Sequence, residues 1–306
     1  MTDKMVGVDV RAERLHVMVS RACNNDCVFC LEDPFVRRRA RFGDPIEILE
    51  RFFRRDAVLF TCGEPTLHRH LLSMVAKARA LGYREIGLVT NGRLLGRDDL
   101  ARRLVDAGLT EVTVSIHSHR PEVHNRLVGR RAFLQTLYGL DLVASLGADR
   151  VTLKSSTVVT KLNVGDLDQT LLFLSRRGVQ VVNLNYVEPA GKAAEAFRRL
   201  APRMSEVAAV LALVPKDCCR ELVVTGVPAC VLGHGPRAGR REVIWHWKDG
   251  AFVQLTANRG QVHGPPCETC DARAHCDGVW SKYAHVFGWG EFHPIARGWD
   301  DGHREH

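Results

Sequence analysis

Cys23-Asn24-Asn25-Asp26-Cys27-Val28-Phe29-Cys30 gathers three thiols in a C-x3-C-x2-C spacing, with an aromatic residue just before the last of them. Three thiolates this close can wrap a 4Fe–4S cluster and satisfy three of its four irons. Four cysteines are the usual full complement, so one iron stays open to a small molecule. Zinc would need a fourth Cys or His nearby, and the next cysteine, Cys62, belongs to a different motif. A disulfide framework also fits poorly. The opening Met1–Arg14 carries Asp3, Lys4, Asp9, Arg11, Glu13 and Arg14 and has no apolar secretory stretch. That predicts a cytoplasmic, reducing setting, where cysteine clusters more often hold metals or do catalysis.

Such a loop needs a frame. β-Branched or apolar runs at Leu15–Ser20, Ala57–Thr61, Glu85–Thr90, Glu111–His117, Val151–Thr160 and Val181–Val187 predict six strands. Amphipathic stretches lie between them. In the first, Asp44 caps, Pro45 takes the first helical position and Glu47 reaches back, with Ile46, Leu49, Phe52 and Phe53 on the inner face. A second, His68–Leu81, stops at Gly82. Others cover Arg97–Ala107, Pro121–Ser145 with a break near Gly129, and Asp166–Arg177. Six βα units in succession predict an α/β fold, a partial (β/α)6 barrel of parallel strands with right-handed crossovers. Function in such sheets collects at the carboxyl ends of the strands, and the cysteine triplet follows the first of them.

The triplet's spacing resembles the signature of the radical S-adenosylmethionine (radical SAM) superfamily. The resemblance implies a 4Fe–4S cluster on Cys23, Cys27 and Cys30 that binds S-adenosylmethionine at its open iron, with Phe29 among the cofactor contacts. Thr61-Cys62-Gly63-Glu64-Pro65-Thr66 resembles the family's G-G-E-P element. By that likeness Gly63, Glu64 and Pro65 hold the amino group of the cofactor's methionine moiety; a carboxylate suits an ammonium, and glycine lets backbone approach a ligand closely. Cys62 stands where the family has glycine, either as a tolerated small residue or as a thiol near the radical. Thr90-Asn91-Gly92-Arg93 is similar to the T-N-G element and adds Asn91. Val114-Ser115-Ile116-His117-Ser118, with Glu122–Gly129 behind it, resembles an "SIHG…HD" stretch and implies that Ser115 and His117 sit over ribose or substrate. Asn125 replaces the commoner aspartate, so no carboxylate role transfers. On the last two strands the family pattern implies cofactor contacts from Ser156 and from the backbone of Val187. The likeness runs over residues 15–191.

The expected barrel, 1–190, is followed by connecting helices over 191–217 and a Cys-rich extension over 218–306. Cys267-x2-Cys270-x5-Cys276, with Gly278-Val279-Trp280 and Tyr283 behind it, resembles the SPASM and Twitch extensions and implies one auxiliary 4Fe–4S cluster. Glu242–Trp247 and Ala251–Leu255, joined through an Asp-Gly turn, read as a β-hairpin. It would bring Cys230 towards Cys267 and make Cys230 the fourth ligand. A closed set of four cysteines suits zinc as well. Cys218 or Cys219 could replace Cys230, and Cys219 joins Cys62 and His117 as a candidate catalytic group. No cysteine follows Cys276, so the full SPASM pattern is incomplete. Gly288–Pro294 would seal the barrel mouth.

Charge adds exclusions. The net charge of +8 is spread over scattered arginine pairs. The dense run Arg37-Arg38-Arg39-Ala40-Arg41 can meet an acidic substrate, but no nucleic-acid-binding motif accompanies it. No run of about 18 apolar residues exists, so no membrane span is expected. The resemblance implies an oxidoreductase that reductively cleaves S-adenosylmethionine to a 5′-deoxyadenosyl radical and takes hydrogen from a substrate. The leading expectation is oxidative modification or cross-linking of a ribosomally made peptide. The alternative is oxidation or rearrangement of a small metabolite, and a remote one is a non-catalytic iron–sulfur or zinc protein. A reductant such as flavodoxin or ferredoxin is an expected partner. With only about 14 residues before the first strand, a peptide substrate would call for a separate leader-peptide-binding protein or for direct binding, for which the arginine run is the candidate.

Overall fold

Short hydrophobic strands with turn residues behind each are laid side by side by right-handed crossovers. The computed structural model describes residues 13–31, 43–215, 217–233, 237–238, 243–248, 250–255 and 260–296; the arginine run at 37–41 lies outside them. Strands β1 Glu13–Met18, β2 Ala57–Thr61, β3 Glu85–Thr90, β4 Glu111–Ser115, β5 Thr152–Val159 and β6 Val181–Tyr186 are parallel neighbours in that order. The crossovers carry α1 Pro45–Arg51, α2 Leu71–Ala80, α3 Leu100–Asp106, α4 Pro121–Val128, α5 Phe133–Ser145 and α6 Leu167–Ser175. Leu15, Val58, Phe60, Leu88, Val114 and Leu184 are fully buried in one continuous core, each contributing about 1.5–3 kcal/mol of burial.

The first strand starts and ends two residues earlier than expected, the fourth ends at Ser115 and the second helix starts at Leu71; around α1 two further expectations fail. Asp44 caps α1, its Oδ1 accepting the Ile46 and Glu47 amides at 2.8 and 3.0 Å. Glu47, however, does not reach back: its carboxylate accepts from Arg51 one turn on, at 2.9 Å. Phe53 is 63% exposed, because α1 ends at Arg51 and only Phe52 turns inward. The long helix expected over 121–145 breaks where Gly129 adopts φ +64°, giving α4 and α5.

The sheet then grows beyond the six expected strands. Helices α7 Ala193–Leu200 and α8 Met204–Leu211 lead to β7 Glu221–Thr225, parallel to β6. After α9 Ala229–Leu232, β8 Arg237–Ala238 extends that edge. The expected hairpin forms from β9 Val243–Lys248 and β10 Ala251–Leu255, with Lys248 opposite Ala251, and β9 docks parallel to β1 at the far edge. From Ala238 to Val243 is five Cα steps, so at most about 18 Å separates β8, at one edge of the sheet, from β9, one strand in from the other. The sheet is therefore curled nearly shut, and residues 221–255 belong to the same sheet as residues 13–186. A separate pair, β11 Gln261–Val262 with β12 Val279–Trp280, precedes α10 Ser281–Phe287. This tail packs on the barrel: Trp280 stacks on Tyr186 at 5.9 Å and the Tyr283 hydroxyl accepts the Met204 amide at 2.9 Å. Among the described residues no helix is long and apolar enough to cross a membrane.

The amino ends of the strands are closed by charge. Glu111, 6% exposed, pairs with Arg14 and, at 2.5 Å, with Lys154; Arg14 also reaches Glu85 at 2.9 Å. Removing one member of a buried network leaves its partners desolvated, so Glu111→Ala is expected to cost about 3–5 kcal/mol, read from denaturant midpoints. Burial alone would raise the Glu111 carboxyl, but Arg14 and Lys154 outweigh it and hold the pKa below the ordinary value. A depressed carboxyl adds stability above its unfolded-state pKa, about 4.3, and loses it as pH falls through the folded value. Wild type and Glu111→Ala should therefore converge in stability in acid.

Candidate active site

The loop after β1 carries Cys23, Cys27 and Cys30, all half-buried and in no disulfide. Three neighbouring loops hold it. From the end of α4, the Leu127 and Val128 carbonyls accept the Val28 and Asp26 amides at 2.9 Å. From the end of β3, Asn91 Nδ2 donates to Asn24 Oδ1 at 2.5 Å, and Arg93 donates to the Asn24 carbonyl and, at 3.0 Å, to Asn25 Oδ1. From the loop after β6, the Lys192 amide donates to the Cys30 carbonyl at 2.9 Å while its ammonium pairs with Asp26. Gly191 must be glycine here: a Cβ would lie 2.2 Å from the Cys30 carbonyl oxygen. The role of Arg93 was not foreseen, although a cation directly behind the T-N-G element was a visible signal.

The Cys27 thiol is pushed up to about 12 by burial and by the neighbouring Cys30 and Cys23. Three thiols within one another's field resist ionising together, and a bound iron cluster would supply the positive charge that lets them. Among the described residues no three His, Cys, Asp or Glu side chains close on one point as ligands of a single ion do. Three soft thiolate donors in one loop are the ligand type that iron–sulfur clusters take.

After β2 the chain turns through Cys62 and Gly63, with φ +70° and +58°. A Cβ on Gly63 would lie 2.3 Å from the Ser20 carbonyl oxygen, so only glycine lets the turn press against the cysteine loop. Cys62 carries a side chain in this left-handed region. Cys62→Gly should relieve about 1 kcal/mol and raise the thermal midpoint with iron content unchanged. Glu64, 1% exposed, caps the 3-10 turn Pro65–Leu67. Its Oε1 accepts from the Thr66 amide, the Thr66 hydroxyl and the Thr90 hydroxyl at 3.0, 2.5 and 2.6 Å. Its Oε2 accepts from the Asn91 amide at 2.7 Å. A carboxylate has about four lone-pair sites, so the capacity left for a ligand ammonium is on Oε2. Asn91 itself is engaged within the protein at both ends of its side chain, the oxygen accepting the Arg93 amide at 3.1 Å.

Across the mouth, Ser115 ends β4, and His117 lies edge-on to Phe29 of the cysteine loop at 4.8 Å between ring centres. His117 is 3% exposed and stacks on His124 at 5.7 Å. Burial, and then His124, holds the His117 pKa well below the ordinary value; burial pushes His124 down to about 4. The Val158 amide donates to His117 Nδ1 at 3.1 Å, which assigns the proton to Nε2. The candidate catalytic histidine is thus a neutral hydrogen-bond donor with its basic nitrogen occupied. Ser156 accepts from Asn185 Nδ2 at 3.0 Å, and Val187 is buried, its amide on the Val159 carbonyl at 3.2 Å.

Four tail cysteines lie within one another's electrostatic reach and form a candidate second site. The Cys230 thiol, on α9, is pushed up to about 11 by burial, then by Cys276, Cys270 and Cys267. Since α9 follows the carboxyl end of β7, this site lies on the same face of the sheet as the triplet. Cys219 lies towards the other end of the strands. It sits two residues before Glu221, which pairs with Val181 at the amino ends of the strands, its sulfur 3.7 Å from that of Cys218. Gly288–Pro294 packs through Phe292 on Tyr283 and Trp289 and through Glu291 on the Ser205 amide, so it lines the rim beside the second site.

A curled parallel sheet with a three-thiol loop over its carboxyl edge is the frame of an enzyme that takes its reactivity from a bound cofactor. Comparison supplies the family. The Radical SAM superfamily matches residues 17–174, just over half of the chain, and the chain belongs to that superfamily of enzymes. A relative from Sulfolobus acidocaldarius named "Probable GTP 3',8-cyclase" is 31% identical over 189 residues, 60% of this chain and 59% of its own length. One of the same name from Saccharolobus islandicus is 30% identical over 191 residues, 61% and 60% respectively. The chain thus spans about three fifths of the length of these curated relatives. Among solved structures, Streptococcus suis SuiB bound to the precursor peptide SuiA aligns with a TM-score of 0.49 at 16% identity, over 57% of this chain and 39% of that one.

Proposed function

We propose that this chain reductively cleaves S-adenosylmethionine at the Cys23/Cys27/Cys30 loop and oxidises or rearranges a small-molecule substrate with the 5′-deoxyadenosyl radical so formed. The cluster supplies the electron for that cleavage; the rest is positioning by the protein. Glu64 Oε2 takes the cofactor's ammonium, Gly63 allows close approach, and Asn91, Arg93 and Lys192 hold the cysteine loop still. His117, with its proton on Nε2, donates a hydrogen bond at the mouth. Ser115, Ser156 and the Val187 backbone border the cofactor, and the site at Cys230, Cys267, Cys270 and Cys276 holds an auxiliary 4Fe–4S cluster as electron acceptor.

The observation that carries this reading is the three-thiol loop beside Glu64 at the carboxyl ends of the strands, the face that also bears the candidate second cysteine site. The relatives' name moves the favoured substrate class from a peptide to a small molecule, and GTP is the first to try. The assay is anaerobic reconstitution, reduction by dithionite or a flavodoxin, and quantification of 5′-deoxyadenosine with and without GTP. The product is expected, and its yield should rise with the right substrate. Fully iron-loaded, reduced protein that makes none under any of these conditions would overturn the proposal. A peptide in the role of GTP would restore the cross-linking alternative.

A further inference from the structure

Two backbone amides reach sulfurs of the second cysteine set. Ile295 N–H donates to Cys270 Sγ at 3.4 Å and Gly278 N–H donates to Cys276 Sγ at 3.3 Å. The first donor belongs to the segment Phe292–Ile295, at the end of the described tail. Its shape is fixed from outside the site. Phe292 is 4% exposed, and its amide donates to the Trp289 carbonyl at 3.2 Å. Glu291 is pinned by the Tyr283 hydroxyl and, at 2.8 Å, by the Ser205 amide. The Ile295 carbonyl accepts from Asp271, the residue after Cys270, at 3.0 Å, so the segment grips the Cys270 turn with both polar groups of one residue. The side chains of His293 and Pro294 face solvent; what reaches the thiols is main chain.

Hydrogen bonds to ligand sulfurs withdraw charge and stabilise the reduced state of an iron–sulfur cluster, one of the levers that set its potential. We propose that Phe292–Ile295 is a redox-tuning clasp: its Ile295 amide raises the potential of a cluster bound at the second site, as an electron acceptor requires. The inference rests on the reading that this site holds iron and sulfur. It assigns Ile295 as a positioning residue that acts through its amide, so its side chain should be replaceable.

The test uses the full chain carrying Cys27→Ala, in which only the second site can bind a cluster, and follows its reduction by EPR during a redox titration. Adding Ile295→Pro, which deletes the amide proton, should cut the reduced-to-oxidised ratio at a fixed potential about tenfold, equivalent to ~59 mV for one electron. Ile295→Ala, which keeps the amide, should leave it unchanged. An unshifted midpoint in Ile295→Pro, or an equal shift in Ile295→Ala, would overturn the inference while leaving the cluster reading intact. If Ile295→Pro loses its iron, the parent protein decides by pulsed EPR after transfer to D2O. Slowly exchanging deuterons coupled to the cluster are expected, and only fast-exchanging ones would overturn the clasp. A Cys27→Ala chain with zinc or no metal at the second site removes the reading and the inference with it.

Discussion

Cys27→Ala should yield a folded protein that makes no 5′-deoxyadenosine above background and keeps about half its iron, near four of about eight atoms per chain if both sites hold 4Fe–4S clusters. Cys27 is the triplet thiol whose ionisation burial and both neighbours oppose, so its loss leaves two ligands for a cluster that needs three. The second site should survive, since its proposed ligands sit on α9 and on residues 267–276, and the segment that follows them is anchored by Trp280 and Tyr283 rather than by the triplet loop. Cys230→Ala should do the reverse: lose the other half of the iron, retain cofactor cleavage and lose product formation from the substrate. Cys219→Ala should change neither iron count, because its sulfur lies at the amino end of β7. Iron analysis with 5′-deoxyadenosine quantification reads all three. A Cys27→Ala protein that retained all its iron and still cleaved the cofactor would remove the triplet from the mechanism, and stoichiometric zinc in it would reassign the second site.

What was legible in the sequence had a local cause. The strands β2 and β3 have the expected bounds because short apolar runs end at Thr-Cys-Gly and Thr-Asn-Gly turns, and run length and turn chemistry are properties of a few adjacent residues. The Asp44 cap and the break at Gly129 are local in the same sense. What was hidden depended on distance. Glu221–Thr225 is a plain β-branched run, but its membership of the main sheet follows from α7 and α8 returning the chain beside β6, and that strand is what carries Cys219 to the other end of the barrel. The hairpin was visible as a hairpin; its docking on β1 was not, since strand neighbours far apart in sequence are chosen by the curl of the whole sheet. The grip of Arg93 on Asn24 and Asn25 spans β1 and β3. His117 was visible as a strand-end histidine, yet its protonation is assigned by the Val158 amide on the next strand.

Glu64→Gln should weaken S-adenosylmethionine binding by at least about tenfold, some 1.4 kcal/mol, and destabilise the protein by about 1–3 kcal/mol, although the substitution changes almost no volume. Three donors converge on Oε1, from Thr66 twice and from Thr90, so the amide of a glutamine must keep its oxygen there. Its NH2 then takes the Oε2 position and faces the Asn91 amide, which donates to Oε2 at 2.7 Å in the wild type. Two donors confront each other in a place that is 1% exposed, where water cannot intervene and an unsatisfied group bears its full desolvation cost. The same NH2 meets the cofactor's ammonium, replacing a charge-assisted hydrogen bond with a like-facing donor. The two losses separate experimentally: thermal or denaturant unfolding of cofactor-free protein reads the Asn91 conflict, and equilibrium binding on cluster-loaded protein reads the ammonium. Glu64→Asp keeps the charge but cannot span from the Thr66–Thr90 donors to Asn91, so it should recover part of the affinity and little of the stability. Equal cofactor affinity in wild type, Gln and Asp proteins would confine Glu64 to tying β2 to β3 and pass the ammonium to another group at the mouth.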